Sequence, residues 1–263
     1  MNKVFSILIV LLLGAACASK QNSQQHLLMS TMWMQHSGEY RALTLQAYAS
    51  AEAELNRALR KKRSKPAAII LDVDETVLDN SPYQARMIIH DRPYEGGTWD
   101  AWVDERSADA TAGAIGFLQK AHKRGVEIFY VTNRPDQNRQ ATYDNLARRG
   151  FPVKKAHVQT KGSDRSKQAR RDAILKKYDV IMLVGDNLGD FDIAFYDQDN
   201  ATRRNLVDKF SKNWGAKFIV LPNPMYGDWE NAIYHGHEKS ERAALRKSSL
   251  RPQPREQLFD KAK

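Results

Sequence analysis

The apolar run Ala67–Leu71 constrains the fold more than any other stretch, because it leads directly into two acids. Its small and β-branched side chains are typical of a buried strand. Asp72 and Asp74 follow at once, with one residue between them. Desolvating two unpaired like charges inside a core costs several kcal/mol for each. We therefore expect the pair at the carboxyl end of a strand, on the rim of a sheet, where a cation can reach it.

The rest of the chain alternates apolar runs with segments of helical spacing. After the first strand, we predict strands at residues 126–131, 156–159, 180–184 and 218–221. The predicted helices are residues 27–62, 81–89, 98–105, 112–123, 136–149, 166–177 and 200–213. Strands separated by helical crossovers favour parallel pairing. The predicted fold class is therefore α/β, a doubly wound parallel sheet with a small, mainly helical insertion at about residues 80–108.

Three of the predicted strands end in polar residues. These ends are Asp72 with Asp74, Thr132-Asn133-Arg134, and Asp186-Asn187. The carboxyl ends of parallel strands lie along one edge of a sheet, where open α/β folds bind their ligands. Any one of these acids alone is explained by capping of the next helix. Their joint order along the chain instead predicts a single crevice built from three segments.

The acids expected at this crevice suit a metal and a nucleophile. Four carboxylates would repel one another there, which calls for a hard divalent cation such as Mg²⁺; they belong to Asp72, Asp74, Asp186 and Asp190. A neutralised aspartate can act as a nucleophile, and a second acid two residues on can carry a proton.

Phosphate oxygens are the expected ligand of the remaining polar groups. Thr132 and Asn133 follow a strand, where we expect free backbone amides that suit phosphate. A cation is also needed opposite the metal to balance phosphoryl charge. Lys167 is the best candidate for it, with Lys161 and Arg165 close enough in sequence to compete.

The two ends of the chain lie outside this pattern. Lys3 and an apolar run up to residue 13 have the layout of a secretory signal peptide, too short to span a bilayer. We divide the chain into a signal peptide (1–16), a linker (17–26), the main domain (27–236) and a basic tail (237–263). Cys17 is the only cysteine and resembles the acylated residue of a bacterial lipobox, although Gly14 stands where leucine is usual. We predict an exported outer-membrane lipoprotein anchored at Cys17, with a soluble periplasmic protein as the alternative.

The net charge of +10 is concentrated partly in the basic tail. Basic patches bind nucleic acid or anionic membranes. A tail poor in aromatic residues is more often a solvated arm, so no nucleic-acid partner is expected.

Four motifs together resemble a known superfamily. They are Asp-Val-Asp-Glu-Thr-Val at 72–77, Thr-Asn-Arg at 132–134, Lys167, and Gly-Asp-Asn-Leu-Gly-Asp-Phe at 185–191. Together they resemble the haloacid dehalogenase-like phosphohydrolases. The longer string at 71–83 and Gly-Asp-Asn-Leu at 185–188 resemble, more narrowly, the class C acid phosphatases, bacterial surface lipoproteins also described as 5′-nucleotidases. The resemblance covers roughly residues 35–230 and leaves the basic tail outside.

The resemblance implies a role for each motif residue. Asp72 would be the nucleophile, and Asp74 the acid/base with its backbone carbonyl on the metal. Asp186 would be a metal ligand, supported by Asp190. The phosphate would be held by Thr132, Asn133 and Lys167.

The resemblance also implies a substrate class. Trp99 and Tyr226 match the aromatic positions that stack on a nucleoside, although packing of the insertion on the core also explains Trp99. The implied protein is a Mg²⁺-dependent acid phosphatase that hydrolyses nucleoside monophosphates through an aspartyl-phosphate, with an acidic optimum. The alternative is a surface lipoprotein that captures nucleotide or haem with little or no catalysis. A homodimer stays open.

Overall fold

The computed structural model describes residues 24–251. The predicted signal peptide, Cys17 and the end of the basic tail lie outside the described residues.

Five strands form the central sheet in the order β5-β4-β1-β6-β7, and all their pairings are parallel. A separate antiparallel pair joins β2 to β3. The strands are β1 Ala67–Leu71, β2 Leu78–Asp79, β3 Asp109–Ala110, β4 Glu127–Val131, β5 Val158–Gln159, β6 Asp179–Gly185 and β7 Phe218–Val220. The predicted α/β class and the five predicted core strands are confirmed.

Ten α-helices cover the sheet and the insertion within the described residues. They are α1 Leu28–His36, α2 Gly38–Ala58, α3 Ser81–Ile89, α4 Gly96–Glu105, α5 Ala114–Lys123, α6 Arg139–Arg148, α7 Gln168–Lys177, α8 Asn200–Lys209, α9 Asp228–Tyr234 and α10 Arg242–Ser248. Of these, α9 and α10 were not predicted, because each has only seven residues and α10 lies in the basic tail. Among the described helices, none combines the length and the apolar character that a bilayer crossing requires.

Both faces of β1 are buried, which explains its unbroken apolar sequence. Ile69 and Leu71 pack into a core with Leu55 of α2. Ile70 points to the other face and packs with Ile174 of α7. The sequence of a parallel strand that is covered by helices on both faces is typically a continuous hydrophobic run.

The site is positioned by the point where the winding of the sheet reverses. From β1 the chain builds β4 and β5 on one side, and then crosses to build β6 and β7 on the other. The connections that leave the carboxyl ends of β1 and β6 therefore turn to opposite sides of the sheet. This divergence opens a crevice beyond the two strand ends. Leu71 pairs with Val184 across this gap, and the Asp72 amide donates to the Val184 carbonyl at 2.9 Å.

The insertion between β1 and α5 stands over this crevice. Its base is the β2–β3 ribbon, in which Leu78 pairs with Ala110. Helix α3 begins at Ser81, whose amide donates to the Asp79 carboxylate at 2.8 Å, and Pro82 occupies its first turn. A proline is well accommodated there because that amide has no helical acceptor.

Candidate active site

A cavity of about 760 Å³ opens at the carboxyl ends of β1 and β6. Its floor contains Asp72, Asp74, Lys167, Asp186 and Asp190. Its walls come from the insertion, the loops that follow β4 and β5, and the segment that contains α9 and α10. The three segments expected to converge do so at this edge.

One half of the floor, the Asp72 side, consists of Asp72, Lys167, Asp186 and Asp190. Lys167 occupies the N-cap position of α7 and donates its Nζ to Asp72 Oδ1. The same Nζ lies 2.6 Å from Asp190 Oδ1. Lys161 and Arg165, the competing cations, line the wall and form no ion pair within the part of the chain that the structure describes.

The two acids that follow β6 are held in fixed positions. Asp186 accepts hydrogen bonds from Thr76 Oγ1 at 3.1 Å and from Asn223 Nδ2 at 2.8 Å. Asp190 accepts the Asn187 amide at 3.0 Å. A Cβ at Gly185 would lie 2.3 Å from Asp190 Oδ2, so only glycine lets the acid turn back against the strand.

The Asp72 side carries more negative charge than its lysine neutralises. Burial raises the pKa of Asp72 well above its ordinary value; Lys167 opposes this rise, and Asp190 adds to it. Burial, followed by repulsion from Asp190, raises the pKa of Asp186 to about 7. Burial alone would lower the pKa of Lys167, but Asp190 and Asp72 raise it above its ordinary value, so the lysine stays charged.

This half of the floor fits a divalent cation. Asp72, Asp186 and Asp190 each offer a carboxylate oxygen, and these oxygens lie within 4.8 Å of one another. Hard oxygen donors in excess of the local positive charge are the ligands that Mg²⁺ and similar ions bind. The carboxylate of Asp74, the fourth acid expected at the cation, is not part of this group, and a metal contact through its backbone carbonyl stays a prediction.

The other half of the floor, the Asp74 side, consists of Asp74, Arg134, Asn80 and Thr132. The Asp74 carboxylate accepts Arg134 Nη2 at 2.8 Å and Arg134 Nε at 2.9 Å. It also accepts Asn80 Nδ2 at 2.9 Å and Thr132 Oγ1 at 3.2 Å. The side chain of Arg134 is only 1% exposed, so the ion pair is largely shielded from water.

The structure corrects one expectation about the end of β4. The Thr132 amide is not free, because it donates to the Gln159 carbonyl at 2.9 Å. The Thr132 hydroxyl is buried and engaged with Asp74 and the Arg134 amide. Asn133 lines the cavity, and its side chain is held by Arg170 at 2.9 Å. Phosphate binding by Thr132 and Asn133 therefore remains a prediction, and Asn133 alone of the two lines the cavity.

The insertion supports the Asp74 side through Asn80. Trp102 Nε1 donates to Asn80 Oδ1 at 2.8 Å, and the Asn80 amide donates to Glu75 at 2.8 Å. Glu75 is fully buried, and burial raises its pKa well above the ordinary value. Its φ of 54° lies in the left-handed region, which costs a non-glycine residue about 1 kcal/mol or more.

Aromatic side chains form part of the wall. Trp99 is 8% exposed and packs edge-on against Tyr83 with 5.1 Å between ring centroids. The Arg134 guanidinium also lies over this ring, 5.5 Å from its centroid, and the centroid of the Tyr94 ring is 6.2 Å away. Tyr226 lines the opposite part of the cavity and packs partly on the cluster of Met34, Tyr40 and Met225. Trp99 thus both packs and lines the cavity, and its stacking role stays a prediction.

Arg134 and Asn80 are the site residues that the sequence reasoning missed. Both lie inside the quoted motifs, yet neither received a role. Arg134 could have been predicted from its position directly after Thr132 and Asn133, because each of two neighbouring acids calls for a cation of its own. The contact with Trp102 had no comparable signal, since it depends on how the insertion packs.

Comparison with known proteins supports the family resemblance that the motifs indicate. Residues 14–229 match the model of the family described as HAD superfamily, subfamily IIIB (acid phosphatase). Two solved structures of the class C acid phosphatase from Bacillus anthracis are similar, with TM-scores of 0.85 and, for one with tungstate bound, 0.84. Each is 36% identical and covers 88% of this chain and 99% of the compared chain.

Two plant proteins are more distant relatives. Acid phosphatase 1 of Solanum lycopersicum is 28% identical over 163 residues, which are 60% of this chain and 57% of that protein. Stem 31 kDa glycoprotein of Glycine max is 26% identical over 164 residues, 60% of this chain and 58% of that protein. The chain therefore matches less than two thirds of either plant protein's length. The family match over most of the chain, together with the class C structures, confirms the resemblance predicted from the motifs: the chain belongs to subfamily IIIB of the HAD superfamily, the acid phosphatase subfamily.

Proposed function

We propose that this protein is a Mg²⁺-dependent phosphomonoesterase that works through an aspartyl-phosphate. The observation that carries the proposal is the Asp72 side of the floor. There Asp72 contacts Lys167 and lies among carboxylates that fit a divalent cation. Lysine and cation together would attract a phosphoryl group to the nucleophile.

The chain's own residues account for both half-reactions. In the first, an Asp72 carboxylate oxygen bonds to phosphorus while the bond to the leaving oxygen breaks, and Asp74 gives that oxygen a proton. In the second, Asp74 takes a proton from water, whose oxygen attacks phosphorus and releases phosphate and free Asp72. Lys167 and Asn133 would hold the non-bridging oxygens. Mg²⁺ bound by Asp72, Asp186 and Asp190, with the Asp74 carbonyl, would supply charge neutralisation at the phosphoryl group.

Nucleoside monophosphates are the proposed substrates. Trp99 and Tyr226 line a cavity of about 760 Å³, large enough for a nucleoside beside the phosphate. Tungstate, bound in one Bacillus anthracis structure, is a tetrahedral oxyanion like phosphate, which supports an oxyanion ligand here.

Phosphate release tests the proposal directly. We expect purified protein with Mg²⁺ to hydrolyse nucleoside 5′-monophosphates and aryl phosphates, fastest under acidic conditions. EDTA should stop the reaction and added Mg²⁺ should restore it. A protein that binds nucleotide or haem but releases no phosphate with Mg²⁺ would instead favour the ligand-capture alternative.

Export and anchoring form a separate part of the proposal. We place the protein outside the cytoplasm, held to the outer membrane by acylated Cys17, on the strength of the leader and its single cysteine. Mass spectrometry of the mature N-terminus should find a lipid-modified Cys17. An unmodified N-terminus after cleavage nearby would indicate a soluble periplasmic form.

A further inference from the structure

The far wall of the cavity is built by α9, α10 and the residues between them. Asn223 connects this wall to the floor, because its side chain donates to Asp186 at 2.8 Å and accepts the Met225 amide at 3.0 Å. Helix α9 then runs from Asp228 to Tyr234, a rise of about 9 Å. The end of this wall is thus about one nucleoside length beyond the start of α9.

Most charges on the far wall are already matched. Glu230 accepts the Tyr234 hydroxyl at 2.6 Å and lies 3.9 Å from Arg246 Nη1. Asp228 interacts with the buried Arg203, whose pKa burial lowers and Asp228 raises. On the far wall, as far as the described residues go, these interactions leave Lys239 and Arg242 as the unpaired cations that line the cavity.

Arg242 and Lys239 have no ion pair with any residue between positions 24 and 251. The guanidinium of Arg242 lies over the Tyr234 ring, 4.7 Å from its centroid, which fixes its plane beside the cavity. Its Nε is buried and has no hydrogen-bond partner among those residues. A buried N–H without an acceptor costs free energy. Because Arg242 lines the cavity without an ion partner in this part of the chain, an anion there would meet an unpaired guanidinium, whose planar fork matches a phosphate.

We propose that Arg242 and Lys239 form a second phosphate site, which makes short 5′-phosphorylated oligonucleotides better substrates than nucleoside monophosphates. The terminal monoester would occupy the floor and an internal phosphodiester would bind the far wall. Lys161 and Arg165 line the same cavity and add to its positive field. The inference rests on the proposed phosphatase function and adds to it, because α10 lies beyond residue 229, where the family match ends.

Two substrates that differ only in the second charge test this site. One is 5′-phosphorylated diadenylate; the other is the same molecule with an uncharged methylphosphonate linkage. The wild-type protein should show a kcat/KM about tenfold higher for the charged substrate, as one charge-assisted contact allows. Raising the salt concentration from about 50 to about 300 mM should shrink this preference, because the site is open to solvent.

Three variants test whether the preference for the charged dinucleotide arises at the far wall. Arg242→Met and Lys239→Met should each bring the ratio of the two kcat/KM values towards one. Lys247→Met is the matched control, since Lys247 is an exposed cation of α10 that does not line the cavity, and it should keep the wild-type ratio. Lys239 is exposed as well, so its replacement also guards against misfolding of the Arg242 variant.

The proposal is overturned if wild-type protein treats the two substrates alike, or if both far-wall variants keep the preference. If no phosphate is released from either substrate, the proposed function fails and calorimetric binding in EDTA decides the site separately. Tighter binding of the charged dinucleotide that is lost in Arg242→Met and Lys239→Met would then support the second site. Equal binding of the two dinucleotides would reject it.

Discussion

The two sides of the cavity floor begin at the same strand but differ in charge. On the Asp72 side, three carboxylates lie near one lysine, which pairs with Asp72 and Asp190, and the formal charge is −2. On the Asp74 side, one carboxylate meets one arginine, an amide and a hydroxyl, a formal charge of zero. Residues two apart on a strand point to the same side, but β1 ends at Leu71 and the chain bends at Val73, so Asp72 and Asp74 meet different neighbours.

This difference indicates why two acids so close in sequence have different chemistry. The Asp72 side is short of positive charge, so it is suited to bind a cation and a phosphoryl group. The Asp74 side is already neutral and fully hydrogen-bonded, so it is suited to hold one carboxylate in a fixed orientation. The nucleophile and the proton carrier are the same residue type, and their surroundings give them different roles.

The largest effect should come from removing the charge of Asp72. We expect Asp72→Asn to lower kcat by about 10⁴-fold or more, because an amide does not form the covalent intermediate. The fold should persist, since the change removes one of three mutually repelling carboxylates. Phosphate release and thermal melting check both points.

Asp74→Asn is the matched variant on the other side. This variant should lower kcat much less for an aryl phosphate than for a nucleotide, because the aryl leaving group needs little protonation. If Asp72→Asn keeps substantial turnover, or if both variants respond alike to the leaving group, the two sides are not functionally distinct.

A smaller loss should follow when Asp74 is released from its partners. We expect Arg134→Met to lower kcat about 10²-fold with little change in KM, because the misplaced carboxylate no longer meets the leaving oxygen. Arg134→Lys keeps the charge without the two-pronged contact and should recover part of the rate. Trp102→Phe, which removes the hydrogen bond to Asn80 and leaves a smaller buried ring, should have a milder effect in the same direction.

Steady-state kinetics and melting curves separate positioning from folding in this series. Removing the partner of a buried charge costs about 3–5 kcal/mol, so Arg134→Met should also melt earlier. A variant series in which KM rises while kcat stays constant would show that Arg134 binds substrate and does not position Asp74.

The residues that meet on the Asp72 side could be predicted from the sequence, whereas the partners of Asp74 could not. Asp72, Asp186 and Lys167 each lie at or near the end of a core element, and parallel strands bring such ends together. Arg134, Asn80 and Trp102 meet through the packing of an insertion, for which no periodic pattern exists. Helix α10 could not be predicted for another reason: its basic composition resembles that of a solvated arm, whereas the structure packs it on Glu230 and Tyr234 of α9.

The subtlest difference between the two sides should appear in the dependence of stability on pH. The folded state raises the pKa of Asp186 from 3.8 to about 7, so it holds the proton more tightly than the unfolded chain does. The resulting stabilisation is complete below pH 3.8 and is lost as the pH rises to about 7. Protein kept in EDTA should therefore melt at a lower temperature at about pH 8 than at about pH 5.

Mg²⁺ should reverse this loss because it replaces the proton among the carboxylates. The rise in melting temperature on adding Mg²⁺ should consequently be larger at about pH 8 than at about pH 5. Asp186→Asn is the control, and in EDTA its melting temperature should vary less with pH than that of the wild type. Arg134→Met leaves the Asp72 side intact, so it should melt earlier but keep the wild-type response to Mg²⁺. An equal Mg²⁺ effect at both pH values would mean that the cation does not bind among these carboxylates.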